Sequence, residues 1–81
     1  MKPQQAWQAA LGQLQLEMPK AAFDTWVRDT EFLDFDDNTA TLTIGTRNAF
    51  ARDWLADRLA NSLRKLLAGI LNQNVKIEFQ V

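Results

Sequence analysis

The apolar residues of this 81-residue chain recur with two different periods, and the changes between them limit the folds it can adopt. Residues 4–17 and 20–29 carry apolar side chains at spacings of three and four, which predicts two helices. Residues 39–45 and 75–81 alternate apolar and polar side chains, as strands with one wet face do. Residues 47–72 return to the helical period over about seven turns, which predicts one long helix.

The segment before the first clean strand is also extended but irregular. Residues 30–35 alternate only roughly, because Phe32 and Phe35 are out of phase, and we expect a bulge or a strand end there. Asp-Asp-Asn at 36–38 is typical of a turn, so the two extended segments predict a β-hairpin that the last strand joins. The order α-α-β-β-α-β has no repeating βα unit. It therefore indicates an α+β fold in which a three-stranded sheet packs on helices on one face, and this arrangement resembles a KH-like fold.

The composition fits a single domain over residues 1–81 and argues against catalysis. Apolar residues make up 47% of the chain, enough for a core, and the chain has no cysteine and no histidine. The single serine, Ser62, lies inside the long helix without a histidine to activate it, and the three glycines are isolated. The acidic cluster Asp34, Asp36 and Asp37 is interpreted as a solvated turn. We expect no enzyme activity, no cofactor and no metal.

The net charge of −1 hides an uneven distribution. Residues 1–45 have a net charge of −4 and residues 46–81 a net charge of +3, which indicates either two solvated faces or complementary surfaces for partners. Arg47, Arg52 and Arg58 could contact phosphates, but a pI of about 5.2 and the absence of a Gly-x-x-Gly loop argue against strong nucleic-acid binding. Weak binding of single-stranded nucleic acid by a small KH-like module is the alternative function. No signal peptide or membrane partner is indicated, and we expect a cytoplasmic protein.

The aromatic residues supply the remaining candidates. Trp26 and Trp54 lie on dense apolar faces and are predicted to be core residues. Trp7 lies one turn into a terminal helix, where it belongs either to the edge of the core or to a self-association face. Phe50 lies four residues before Trp54, so it is either a core residue or a partly covered interface anchor. Its polar rim would consist of Arg47, Asn48 and Arg52.

Several motifs in order give the chain a family resemblance. Trp7 is followed by Leu11 and Leu14, and three further motifs are MPKAAFDTWVR (18–28), DNTATL (37–42) and NAFARDWL (48–55). The chain ends with VKIEFQV. With this set, which covers nearly all 81 residues, the chain resembles the N-terminal domain, or domain I, of the bacterial chromosomal replication initiator DnaA.

The resemblance implies a KH-like interaction domain without enzyme activity. In that family the domain self-associates, helps to load the replicative helicase DnaB and binds regulators of initiation. The resemblance implies that Trp7 and Leu11 form the self-association contact. Helicase and regulator binding would fall on a surface with Asn48 and Phe50, to which we add the neighbouring Arg47. Well-known members carry a glutamate on this surface just before the phenylalanine of the second helix, and this chain has Ala22 there. The ATPase and DNA-binding modules of a full initiator are absent from the sequence, so we expect either an excised domain or a stand-alone relative.

Overall fold

The computed structural model describes residues 2–81 and contains four helical segments and three strands. The elements, in chain order, are α1 (Pro3–Glu17), α2 (Lys20–Ala22, continued by a π-helical segment Phe23–Val27), β1 (Glu31–Asp36), β2 (Thr41–Gly45), α3 (Ala49–Arg58), α4 (Ala60–Leu71) and β3 (Lys76–Gln80). If α3 and α4 are counted as one helical region, this is the predicted α-α-β-β-α-β order, and the α+β class is confirmed. Each predicted strand is found within two residues of its expected bounds.

The sheet has the order β1-β2-β3, with β2 in the centre. β1 and β2 form the predicted antiparallel hairpin, and β3 lies parallel to β2. The register shifts between Phe32 and Asp34, so the expected bulge is present. Because Leu33 is the extra residue, Phe32 and Phe35 both turn towards the core although their spacing is odd. The displaced Leu33 covers Gly45, where a Cβ would lie 3.2 Å from the Leu33 Cδ1 atom.

The core lies between the sheet and the helices. Leu42 and Ile44 are wholly buried on the inner face of β2, and the half-buried Ile77 and Phe79 extend this face along β3. The helices contribute buried side chains that are listed by element: Ala6, Trp7, Ala10 and Leu14 from α1, Phe23 and Val27 from the π-helical segment, Ala51 and Leu55 from α3, and Leu63 and Leu67 from α4. The opposite face of the sheet is lined by polar side chains, so the helices cover one face only.

The prediction of a single long helix over residues 47–72 is wrong, because the structure has two helices that meet at Leu59. The backbone of Leu59 has φ −115° and ψ −11°, outside the usual helical range, although its amide still donates to the Leu55 carbonyl. The two helices pack on different elements, α3 on β3 and the π-helical segment and α4 on α1. A bend therefore lets both Leu55 and Leu63 reach the core. Within residues 2–81 no helix has both the length and the apolar character to cross a bilayer.

The second predicted helix, residues 20–29, is shorter and more irregular than expected. Its regular α-helical part is confined to Lys20–Ala22, and the Arg28 amide donates to the Phe23 carbonyl five residues before it. This i to i−5 pattern defines a π-helical segment, which widens the helix by one residue per turn and is frequent at functional sites. The Thr25 hydroxyl also donates to the Ala21 carbonyl over 2.7 Å, a bond that often accompanies helix distortion.

Trp7 is a core residue, so neither predicted position, the edge of the core or a self-association face, describes it. Its side chain is only 1% exposed, and it is among the largest fully buried side chains of the domain. The indole Nε1 is buried and has no hydrogen-bond partner among residues 2–81. Leaving such a donor unpaired costs about 1–3 kcal/mol, so the burial of its large apolar ring must offset this loss.

Candidate partner-docking site

The short loop between β2 and α3 is held by hydrogen bonds at both of its ends. The Thr46 amide and hydroxyl both donate to the Gln80 carbonyl, at 2.7 and 2.9 Å, and so join the end of β2 to the end of β3. Asn48 then adopts an extended backbone, and its side-chain oxygen accepts a 2.8 Å hydrogen bond from the Ala51 amide. This is an N-cap, and it defines the first turn of α3.

Phe50 lies in this first turn and points into solvent. Its side chain is 83% exposed, so the core interpretation of Phe50 is wrong. A rigid position and a large exposed ring together make Phe50 a ready contact for another molecule. Of the expected rim, Arg47 and Asn48 are exposed and Arg52 is half-buried.

Arg47 joins the start of α3 to the end of the π-helical segment. Its Nη2 donates a 2.7 Å hydrogen bond to the Thr25 carbonyl, and its Nη1 lies 3.6 Å from an Asp29 carboxylate oxygen. The Thr25 carbonyl is among the last carbonyls of a helix, which lack partners within the helix and favour a nearby cation. Arg47 was predicted to contact a partner, but its guanidinium contacts Thr25 and Asp29 within the domain.

Trp26 and Trp54 form a second link between the same two elements. Their ring centroids are 4.8 Å apart and their planes differ by 6°, which is a stacked arrangement. The Arg58 guanidinium lies 5.9 Å from the Trp54 ring, at the outer limit of a cation–π contact. Both tryptophans are half-buried and pack on the core without belonging to its buried part, which corrects the prediction that they are core residues.

The site therefore consists of two helical segments joined by a hydrogen bond and an ion pair of Arg47 and by one aromatic stack. Phe50 and Trp54 are four residues apart on α3, and Ala22 and Trp26 are four residues apart on α2 and its continuation, so each of the two candidates lies near one stacked ring along its own helix. Ala22 is half-buried. The structure thus places Arg47, Asn48 and Phe50 together at the start of α3, and Ala22 lies on the other helical segment, four residues before the stacked Trp26.

Two contributors to the site were missed by the sequence analysis. Thr25 and Asp29 hold Arg47, yet Thr25 acts through its backbone carbonyl, for which side-chain identity gives no signal. Asp29 could have been found as an acid at the end of a predicted helix, but its pairing with Arg47 spans a long stretch of sequence. The charged pair Arg52 and Asp53 lies beside the site, with 3.0 Å between the Arg52 Nε and the Asp53 carboxylate.

Comparison with known proteins now identifies the domain. The family model described as the DnaA N-terminal domain matches residues 4–69. The chain belongs to the DnaA N-terminal domain family. It is similar to the chromosomal replication initiator protein DnaA of Thermomicrobium roseum, with 31% identity over 81 residues, which is 100% of this chain and 17% of the relative. It is also similar to the protein of the same name from Roseiflexus castenholzii, with 34% identity over 71 residues, which is 88% of this chain and 14% of the relative.

A third relative, the chromosomal replication initiator protein DnaA of Ralstonia pickettii, is 30% identical over 76 residues, which is 94% of this chain and 14% of the relative. The chain therefore spans less than a fifth of the length of these initiators. The match begins within α1 and ends within α4, so the loop that carries Asn48 and Phe50 lies inside the DnaA N-terminal domain itself. The structure is thus that of a DnaA N-terminal domain.

The acidic turn of this DnaA domain forms local contacts. The Asp36 carboxylate accepts a 2.9 Å hydrogen bond from the Asn38 amide, which stabilises the turn after β1. Among residues 2–81 no group of three or more Asp or Glu side chains is placed to hold a metal ion.

Proposed function

We propose that this domain is a protein-docking module of a DNA replication initiator, and that the exposed ring of Phe50 is its principal anchor. The observation that carries the proposal is an 83% exposed phenylalanine on a helical turn that is fixed on both sides. Large exposed aromatic side chains on ordered elements are frequent binding hot spots, because little conformational freedom is lost when they are covered. Asn48 would both cap α3 and offer its exposed amide edge to the partner.

The partners we propose are the replicative helicase DnaB and regulators of initiation, as the DnaA resemblance implies. Family membership supports this proposal, and the position of Phe50 gives it a surface. Ala22 alters the chemistry of that surface, since the glutamate of better-known members would supply a carboxylate where this chain has a methyl group. We therefore expect the partner's matching surface to lack a basic group at this point. A domain with this role would act in the cytoplasm, where bacterial chromosomes are replicated.

A protein partner is favoured over the alternative of single-stranded nucleic acid by the charge of the open sheet face. Asp34, Asp36 and Glu78 line this face, with Lys76 as its cation. A strand of nucleic acid laid across the sheet would bring phosphates towards these carboxylates, and like charges repel. The two arginines nearest to Phe50 in the sequence, Arg47 and Arg52, are each paired with an aspartate, so the docking site offers little net charge for phosphates.

Weak self-association is the second part of the proposal, and it concerns α1. Trp7 lies inside the core, so of the two residues predicted for this contact Leu11 is the one that retains exposed surface. Sedimentation equilibrium of the wild type and of Leu11→Gln at high concentration would test this idea. We expect partial dimerisation that Leu11→Gln reduces, and an unchanged monomer in both samples would contradict it.

The docking proposal is tested by mapping the contact at residue level. Backbone amide NMR signals of the isotope-labelled domain would be followed while unlabelled helicase from the same organism is added. We expect shifts or broadening concentrated at residues 47–51 and around Trp26. Changes confined to the sheet strands, or equal changes on addition of single-stranded oligothymidylate, would contradict a protein-docking role for Phe50.

A further inference from the structure

A second surface, distant from Phe50, has the features of a binding groove. It encloses about 520 Å3 between the middle of α4, the start of β3 and the hairpin turn. Ala68 and Val75 form its apolar floor, and Arg64, Lys65 and Lys76 stand around it, with Thr39 on the hairpin side. We call these six residues the basic groove.

The three cations of the basic groove have no carboxylate partner. Ion pairs within 4.0 Å among residues 2–81 involve Arg28, Arg47 and Arg52, which all lie elsewhere. Arg64 donates one hydrogen bond, of 2.8 Å, to the neutral side-chain oxygen of Asn61, and its other N–H donors stay available. A third of the basic residues of the chain thus surround one apolar floor without an ion pair within 4.0 Å among residues 2–81, although Lys76 also borders the acidic sheet face.

The walls of the basic groove are held in place by the fold. The Lys76 amide donates a 2.8 Å hydrogen bond to the Ala40 carbonyl, which joins the start of β3 to the hairpin turn. Val75 is 3% exposed and is thereby fixed in the core. The groove therefore exists before any ligand arrives, which lowers the entropic cost of binding.

The chemistry of the groove selects one kind of occupant. We infer that the basic groove binds a short acidic peptide segment that places an aliphatic side chain on Ala68 and Val75 and its carboxylates beside Arg64, Lys65 and Lys76. Nucleic acid fits less well, since the lining contains no aromatic ring on which a base could stack. The neighbouring sheet face also carries Asp34, Asp36 and Glu78, which repel any anion that extends beyond the groove, so the occupant must be a short segment and not a long phosphate backbone.

The basic groove and the docking site are separate surfaces. The groove is at the end of β3 where Lys76 meets Ala40, and the Phe50 loop is at the other end, where Thr46 meets Gln80. The five-residue strand β3 spans roughly 13 Å between its terminal residues. A partner with an acidic segment could therefore occupy the groove while Phe50 is engaged, and failure of one site would leave the other intact.

A labelled peptide tests this inference directly. The probe is a short fluorescein-labelled peptide of glutamate pairs separated by single leucines, titrated with the whole domain and followed by fluorescence anisotropy. We expect saturable binding that weakens with added salt and that falls about tenfold in the double variant Lys65→Glu, Lys76→Glu. The matched control Lys2→Glu, Lys20→Glu makes the same charge change outside the groove and should retain most of the affinity.

Further variants distinguish a loss of peptide binding from a loss of folding and from binding at the docking site. The neutralising variant Lys65→Gln, Lys76→Gln repeats the test if charge reversal disturbs the fold, as judged by circular dichroism. Phe50→Ala should bind the peptide as the wild type does, because the docking site is separate. The inference is overturned if the groove variants bind normally, if Phe50→Ala loses the peptide, or if oligothymidylate of equal charge binds more tightly than the peptide and is lost in the same variants.

Discussion

The guanidinium of Arg47 donates a hydrogen bond of 2.7 Å to the backbone carbonyl of Thr25, 22 positions earlier in the chain. Through this bond the first turn of α3 is joined to the π-helical segment, whose terminal carbonyls lack helical partners. The bond and the stack of Trp26 on Trp54 together fix the orientation of two short helical segments that carry the docking site. The exposed Phe50 is thus attached to a rigid base, which is the physical reason to regard it as an anchor.

Removing this link should loosen the site. We expect Arg47→Ala to lower the free energy of unfolding by about 1 kcal/mol, because a charge-assisted hydrogen bond and a largely exposed ion pair are lost. Urea denaturation measures the effect. The matched control is Arg52→Ala, whose ion-pair partner is the adjacent Asp53, and it should change stability by less than about 0.5 kcal/mol. Equal effects of the two variants would show that the Arg47 link is energetically unimportant.

The N-cap of α3 gives a second prediction. Asn48→Ala should destabilise the domain by about 1 kcal/mol, because the Ala51 amide loses its side-chain acceptor. Asn48→Asp keeps an acceptor oxygen and places a negative charge at a helix N-terminus, so its stability should stay near that of the wild type. Thermal melting of the three proteins distinguishes capping from partner contact. A partner that needs the amide group would bind the stable Asn48→Asp variant weakly.

The stack of Trp26 on Trp54 should give a measurable interaction energy between the two residues. In a double-mutant cycle of Trp26→Ala and Trp54→Ala, we expect an interaction energy of about 0.5–1.5 kcal/mol. Each substitution alone also removes half-buried apolar surface, and the cycle separates that loss from the stacking term. Additive effects in urea denaturation would mean that the rings are neighbours without a favourable interaction.

Trp7 provides the test of what is core and what is surface. Because Trp7 is 1% exposed, Trp7→Ala should destabilise the domain by about 3–5 kcal/mol, a large part of the stability of a small domain. Circular dichroism and melting of the variant measure this loss. A folded Trp7→Ala domain with normal stability and reduced self-association would instead place the indole on a surface, contrary to the structure.

Much of the fold could be predicted from the sequence because period and turn chemistry are local signals. The alternation of β3, the turn after β1 and the Asn48 cap each depend on residues within a few positions of one another. The bulge at Leu33 was also predictable, since Phe32 and Phe35 cannot face one side of a regular strand. The break at Leu59 was not, because an unbroken helical period fits one straight helix as well as two helices that pack on different elements.

The exposure of the aromatic residues was the least predictable property of the site. Spacing places Phe50 and Trp54 on one side of α3, yet the first is exposed and the second half-buried. The difference arises because Trp54 stacks on Trp26 of another helical segment, whereas the ring of Phe50, one turn earlier on α3, is left exposed. Likewise, a terminal helix gave no sign that Trp7 lies in the centre of the core. Such outcomes depend on tertiary neighbours, which a periodicity does not encode.

The most direct test of the central claim is the affinity of the domain for the replicative helicase of the same organism, measured by calorimetry for the wild type, Phe50→Ala and Leu16→Ala. Leu16 on α1 is 84% exposed and Phe50 is 83% exposed, so both variants remove an equally accessible apolar side chain. We predict that Phe50→Ala keeps wild-type stability and weakens binding about tenfold or more, while Leu16→Ala binds normally. Equal binding by Phe50→Ala and the wild type, with both proteins folded, would contradict the claim that Phe50 anchors the partner.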